Sequence, residues 1–531
     1  MKMKKKLIST SLLAIALGLF GNCEGAGSSD NSALALAGIG GGGSGVKVAT
    51  AADLAVESAD NYDNNNYGLI SATTLSHWID DWANNKPAGI TGDLVIFQAN
   101  KVGSGKTIIK PTTGVRVYVS VANNAAPGDP VPTYSWKTFR ETRNNGLISI
   151  TNTYGIISGP SIDSWFQWYG VDPTKDLIVF ASGTGDNYGS IGHQHYALRY
   201  WGVSHEHLAI LNGTIKGQFD ETSELGLDAD ESIPPQDGTF SVKQLKNVDN
   251  RILTLSIEDT IQVVKNNGHH GLAGLSSTVY ISDNRTKANI DANPDGYTAT
   301  AGWQEYNGGE NTTGATLDSS PVAFEGHLKG AVFVPHWNLV DRTSLDNAKA
   351  YTGTSSPFNT LKFRPKSYIK ALWDDYSVGI NPADGTTPYS STNNPNIGAT
   401  AYQEGQTILQ YCRTNTRTQT SGISTNLILG RPTVFLEDGW SIFGLLAGNF
   451  PGGNFDNEGD VAASFPSVPA KFAPDLQDVV ESGARGSGLG PHYNGSGATK
   501  VKKSTVATYS INSTATTTKQ AFIDDWNYKN Q

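Results

Sequence analysis

The chain has 531 residues, which at roughly 100–200 residues per domain makes more than one domain. Hydrophobic residues make up 38% and charged residues 17%, so there is apolar material for packed cores and too little charge for a disordered chain. The net charge is −10, and Lys and Arg runs are nearly confined to the N-terminus; no basic surface is left for phosphates, which excludes nucleic acid as a partner.

In chain order, Met1 to Lys6 is basic and Leu7 to Phe20 is an apolar run too short to span a bilayer comfortably, so residues 1–22 read as a secretory signal peptide. The segment Leu19-Phe20-Gly21-Asn22-Cys23 resembles the lipobox of bacterial lipoproteins. That resemblance implies acylation of Cys23 and membrane contact through a lipid anchor. The alternative is an ordinary signal peptide cut further on, with Cys23 discarded. Residues 23–46 are a Gly/Ser-rich tether spanning roughly 25 Å as a coil. The expected location is outside the cytoplasm, periplasmic or at the cell surface.

From residue 47, apolar strands alternate with amphipathic helices. Leu69 to Trp82 contains a helix capped by Ser71 or Thr73. Asp93 to Phe97 reads as a buried strand, Ser161 to Tyr169 as a helix and Leu177 to Phe180 as a strand. Tyr196 to Trp201 continues a helix, and Leu208 to Leu211 is a strand. An acidic, Pro-containing connector covers 218–250. The order then recurs: strands at Thr278–Ile281 and Ala331–Pro335, a helix at Ser367–Tyr376, a strand at Thr407–Tyr411, a helix at Thr418–Leu429 and a strand at Thr433–Leu436. Short continuous apolar strands between helices imply parallel sheets covered on both faces, an α/β class. Two such units, 47–217 and 251–455, lie in tandem, and a loop-rich extension occupies 456–531.

Cysteine usage singles out one residue. The chain has two cysteines, and if Cys23 is lipidated or removed, Cys412 has no partner within the chain. An unpaired thiol kept in an oxidising compartment is a candidate reactive group, with a small buried hydrophobe as the bland reading. Cys412 lies between a strand and a helix, in the loop Cys412-Arg413-Thr414-Asn415-Thr416-Arg417. A parallel strand's carboxyl end, a nest of backbone N–H groups, a helix N-terminus and two arginines all favour a thiolate there. Asn415 stands where a left-handed backbone is called for, which Asn tolerates.

This loop resembles the active-site loop of rhodaneses, the sulfurtransferases that carry sulfane sulfur as a cysteine persulfide. Other pieces resemble that family in order: Asp283-Asn284-Arg285, then Glu325-Gly326-His327-Leu328-Lys329-Gly330-Ala331, then Leu429-Gly430-Arg431-Pro432 and Glu437-Asp438-Gly439-Trp440. Together they cover about 250–450. The first half is a fainter match, with Ala181 or Ser182 at the cysteine position, and reads as catalytically inactive.

The resemblance implies a small anionic sulfur donor such as thiosulfate, held by Arg413, Thr414, Asn415, Thr416 and Arg417. It implies a thiol or cyanide acceptor, including a protein thiol, and no cofactor. Asp283 and Arg285 are expected to brace the loop by a salt bridge. His327 and Trp440 are supporting residues that line the cleft or simply pack. The His193/His195, His205/His207 and His269/His270 pairs lack a companion ligand cluster, so no metal site is assigned. Two alternatives remain: a cysteine-dependent phosphatase or arsenate reductase, and a non-catalytic surface protein that binds sulfur or selenium species or scaffolds a redox complex.

Overall fold

A computed structural model describes residues 45–99, 108–120, 134–150 (without 137), 155–219, 230–285, 327–341 (without 335), 361–375, 400–412, 414–448, 471–481 and 509–531, with a few isolated positions besides. The signal peptide, most of the tether, Cys23, Arg413 and much of 456–531 lie outside the described residues.

The first half forms β1 (Gly68–Ile70), α1 (Ala72–Asp80), β2 (Leu94–Gln98), β3 (Val115–Val119), α2 (Gly159–Tyr169), β4 (Leu177–Ser182), α3 (Tyr188–Trp201) and β5 (Leu208–Thr214). Helix α1 starts where the side chain of Ser71 accepts the Thr74 N–H at 3.1 Å, one of the two caps expected. The second half forms β6 (Thr254–Leu255), α4 (Ile257–Lys265), β7 (Val279–Asp283), β8 (Val332–Phe333), α5 (Lys366–Asp374), β9 (Thr407–Tyr411), α6 (Arg417–Gly422, continued by π-helical Ile423–Ile428), β10 (Thr433–Leu436) and α7 (Gly439–Gly448). Ser256 and Asp259 close a capping box at the start of α4.

The sheets run β1-β5-β4-β2-β3 and β6-β10-β9-β7-β8, with all neighbours parallel. Counted along each half, both have the strand order 1-5-4-2-3. The α/β expectation therefore holds, and the two halves repeat one topology.

Strand alternation decides which face meets which layer. In the first sheet Leu94, Ile96, Leu177 and Val179 pack with Trp78 and Trp82 from and beside α1. Val95, Phe97, Ile178 and Phe180 turn the other way, onto α2 and α3. The second sheet turns Tyr280, Ile408 and Phe435 into that same central core and Ile281, Leu409 and Val434 toward α4 and α7. Helices α3 and α6, each following the fourth strand of its sheet, pack on one another in the middle.

The extension is not all loop. Tyr509–Ile511 pairs antiparallel with Ile148–Ile150, and α8 (Gln520–Lys529) docks on the first half. There the buried Asp525 takes two hydrogen bonds of 2.8 Å from the half-buried Arg143 and one of 2.8 Å from the buried Tyr200.

Candidate functional site

In the order 1-5-4-2-3, connections leave strands 4 and 2 in opposite directions, so the gap at their carboxyl ends is the topological switch point where open α/β sheets place ligands. In the second half those strands are β9 and β7. The first runs directly into Cys412 and the second into Asn284 and Arg285. In the first half, five residues (183–187) join β4 to α3, matching the five (412–416) that join β9 to α6. By sheet register Ala181, opposite the last residue of β2, matches Tyr411, opposite the last residue of β7, so Ser182 stands at the Cys412 position, one of the two residues expected there. That first loop is closed on itself: the Ser182 hydroxyl donates to Gly185 O at 2.9 Å, and the Asn187 amide donates to Ser182 and Thr184.

Cys412 is a free, fully buried thiol. Its carbonyl accepts the Trp440 N–H at 2.8 Å. Asn415 has φ of 55°, the left-handed backbone expected of it, and is fully buried. Its side-chain amide donates to Glu437 Oε2, and its own oxygen accepts from Gln419 at 3.1 Å. Thr414 and Thr416 are half-buried, with hydroxyls 3.4 Å apart. Arg417 is half-buried and opens α6.

Beneath the loop, Asp283 and Arg285 form a buried ion pair with Nη2–Oδ2 at 2.6 Å. Asp283 also accepts from the Tyr411 hydroxyl at 2.8 Å, and the Arg285 guanidinium lies 4.7 Å from the Trp440 ring. The pair thus contacts the residue before Cys412 and the residue that holds the Cys412 carbonyl. Trp440 is fully buried and stacks on Phe443. His327 is buried in a short strand paired with Val480–Glu481, its Nδ1 at 3.0 Å from Leu328 O. Both residues pack within the core.

Three further residues belong to the site. Glu437, after β10, lies at hydrogen-bond distance from His193 Nε2, 3.0 Å, and 4.0 Å from Arg140 Nη2. Arg140 also donates to Thr416 at 3.0 Å. His193 and Arg140 come from the first half, so that half holds the loop of the second. Burial works against ionisation of Glu437, but His193, Arg140 and the Asn415 amide more than offset it and keep its carboxyl below the usual glutamate value. Its neighbour Asp438 is pushed up to about 7 by burial and by the Glu437 charge, against a hydrogen bond from Asn145. Of these, Glu437 lay in a segment that resembles the family but without an assigned role, His193 stood out only as half of an HxH pair that pointed to metal chemistry, and Arg140 carried no sequence signal. Among the described residues no group of three or more His, Cys, Asp or Glu could hold a metal.

Fold and site define an α/β protein of two like-ordered parallel sheets, with a lone cysteine at the switch point of the second. No family model and no curated protein sequence matches the chain. Among solved structures it is similar to the 3-mercaptopyruvate sulfotransferase SseA from Escherichia coli, whose structure is described as having the rhodanese fold (13% identity, 70% of this chain and 99% of that one, TM-score 0.38). It is also similar to the Tum1 protein from Saccharomyces cerevisiae (13% identity, 72% and 97%, TM-score 0.41). At such scores the likeness carries no weight for activity, which has to come from this chain's own residues.

Proposed function

We propose that the protein is a tandem rhodanese-like sulfurtransferase whose second half carries sulfur on Cys412 and whose first half is a positioning partner without a cysteine. The observation that carries this reading is the cysteine at the switch point of the second sheet, on a loop entered through Tyr411 and held by Asn415. The repeated strand order supports it, as does Ser182, a hydroxyl in place of the thiol, at the matching position of the first half.

In the proposed reaction the Cys412 thiolate attacks the outer sulfur of thiosulfate. A new sulfur–sulfur bond forms at Cys412, the sulfur–sulfur bond of the donor breaks, and the electron pair leaves with sulfite. Cyanide or an acceptor thiolate then attacks the outer sulfur of the persulfide and returns the Cys412 thiolate. Arg413, Thr414, Thr416 and Arg417 are the proposed donor contacts, and the loop N–H groups the persulfide contacts. Because the thiol is fully buried, donor entry requires the side chains over it to move. We also propose export, with Cys23 acylated and residues 23–46 as the tether.

The test is intact-mass measurement after incubation with thiosulfate. A gain of one sulfur atom in the wild type and none in Cys412→Ser is expected. No gain in the wild type refutes persulfide chemistry with this donor. The full burial of Cys412 favours one second reading, a non-catalytic scaffold, and absence of any persulfide with polysulfide as well would select it.

A further inference from the structure

A second polar site lies between the halves, away from Cys412. On α3, Gly192, His195 and Arg199 fall on one stripe. On α6 and its π-helical continuation, Gln419, Gly422 and Asn426 fall on the facing stripe. The two stripes enclose a small cavity with room for about one water-sized body.

The charge of Arg199 makes this place unusual. The other buried arginines each meet an acid: Arg140 meets Glu437, Arg285 meets Asp283 and Arg431 meets Asp374. Arg199 is equally buried, yet no carboxylate among the described residues lies within ion-pair distance, and Nη1 donates to the Val203 carbonyl at 2.7 Å. A buried guanidinium without a counter-charge is costly. Two polar atoms at the cavity are buried without a hydrogen-bond partner, His195 Nε2 and Asn426 Nδ2. The amide nitrogen is a donor, and the imidazole nitrogen is one in its Nε2–H tautomer. The lining therefore offers a fixed positive charge and neutral donors.

We propose that this cavity binds a single monovalent, water-sized anion of the halide class, held by Arg199 with Asn426 and His195 as neutral donors. A water molecule would satisfy the donors but not the charge. The bound anion would supply a counter-charge that no described carboxylate gives Arg199, and tie α3 to the helix that follows the Cys412 loop. Burial first, then Arg199 nearby, holds the His195 pKa down to about 3, so the ring is neutral at ordinary pH and leaves the charge balance to Arg199.

The test uses the full chain at matched ionic strength, with sodium bromide or chloride compared with sodium gluconate, whose anion is too large for the cavity. For a site filled to about ten times its dissociation constant, a melting temperature higher by about 1–2 °C in halide is expected. Asn426→Leu and Arg199→Met should remove that difference. Bromide-soaked crystals should give an anomalous peak between Arg199 and Asn426. If Arg199→Met does not fold, Asn426→Leu and the anomalous peak still decide. No halide shift in the wild type, or no bromide peak in the cavity, means that water alone occupies it and overturns the proposal.

Discussion

Gly189 on α3 faces the Cys412 loop of the second half. A Cβ at this position would sit 2.8 Å from the Thr416 carbonyl oxygen and 2.9 Å from Thr416 Cγ2. Backbone cannot swing aside as a flexible side chain can, so in Gly189→Ala either the loop or α3 must shift by about 0.6 Å to reach ordinary contact. Helix propensity favours alanine by about 1 kcal/mol, whereas overpacking costs about 1–3 kcal/mol, so the net effect is a destabilisation of about 0–2 kcal/mol. The larger effect is on geometry. A 1 Å misplacement costs up to about 100-fold in rate, so a shift of this size should slow persulfide formation roughly tenfold. Urea melts read the stability, mass-detected persulfide formation the rate, and iodoacetamide labelling of the Cys412 peptide the burial of the thiol. Labelling should be faster in the variant. If Gly189→Ala is instead more stable by about 1 kcal/mol, as for a solvent-facing helical glycine, and labels at the wild-type rate, the helix–loop contact is refuted whether or not the protein transfers sulfur.

Three other substitutions test other parts of the structure. Asn415→Gly relieves a left-handed backbone worth about 1 kcal/mol but removes a hydrogen bond to the buried Glu437 worth about 1.5–3 kcal/mol; it should lower stability slightly, and Asn415→Ala, which keeps the strain, should lower it more in the same urea melts. Asp438 has a folded pKa raised to about 7, so the folded state holds its proton where the unfolded state has lost it, and wild-type stability falls as pH rises from about 4 through 7. Asp438→Asn should therefore gain on the wild type across that window by about 1–2 kcal/mol, solvent screening of this half-buried side chain reducing the full value; a difference that stays flat from pH 4 to 8 refutes the assignment. Asp525→Ala strands Arg143 and should cost about 3–5 kcal/mol, read as a lower urea midpoint with α8 the first element exposed to hydrogen exchange.

Strands Thr407–Tyr411 and Thr433–Leu436 were legible to the residue, because a continuous apolar run between polar loops has one economical fate in a covered parallel sheet. Gly68–Ile70 was hidden because its two apolar residues also fit the periodicity of α1, which comes directly after it. Val115–Val119 carries Arg116, which reaches Asp93 and Asp176 outside the sheet, and that charge masks an otherwise strand-like run. Gln520–Lys529 is polar overall and is held by a few buried partners rather than an apolar stripe, so composition reads it as loop. In the site, the left-handed Asn415 could be read from residue type alone. Arg140 could not. It reaches Thr416 from a small antiparallel sheet of the other half, next to Phe139, a bulky residue with φ of 51° whose ring is fully buried. Only tertiary packing sustains such a conformation.

Docking of α8 also ties the order of synthesis to the order of folding. Arg143 and Tyr200 leave the ribosome early, but Asp525 arrives 382 residues after Arg143. At usual elongation rates that gap is roughly 20–80 s. During that interval the first half carries a buried-type cation and phenol facing solvent. A chain that stops short of the last helix keeps them exposed. Helix α8 thus completes a set of contacts whose partners precede it by hundreds of residues in synthesis.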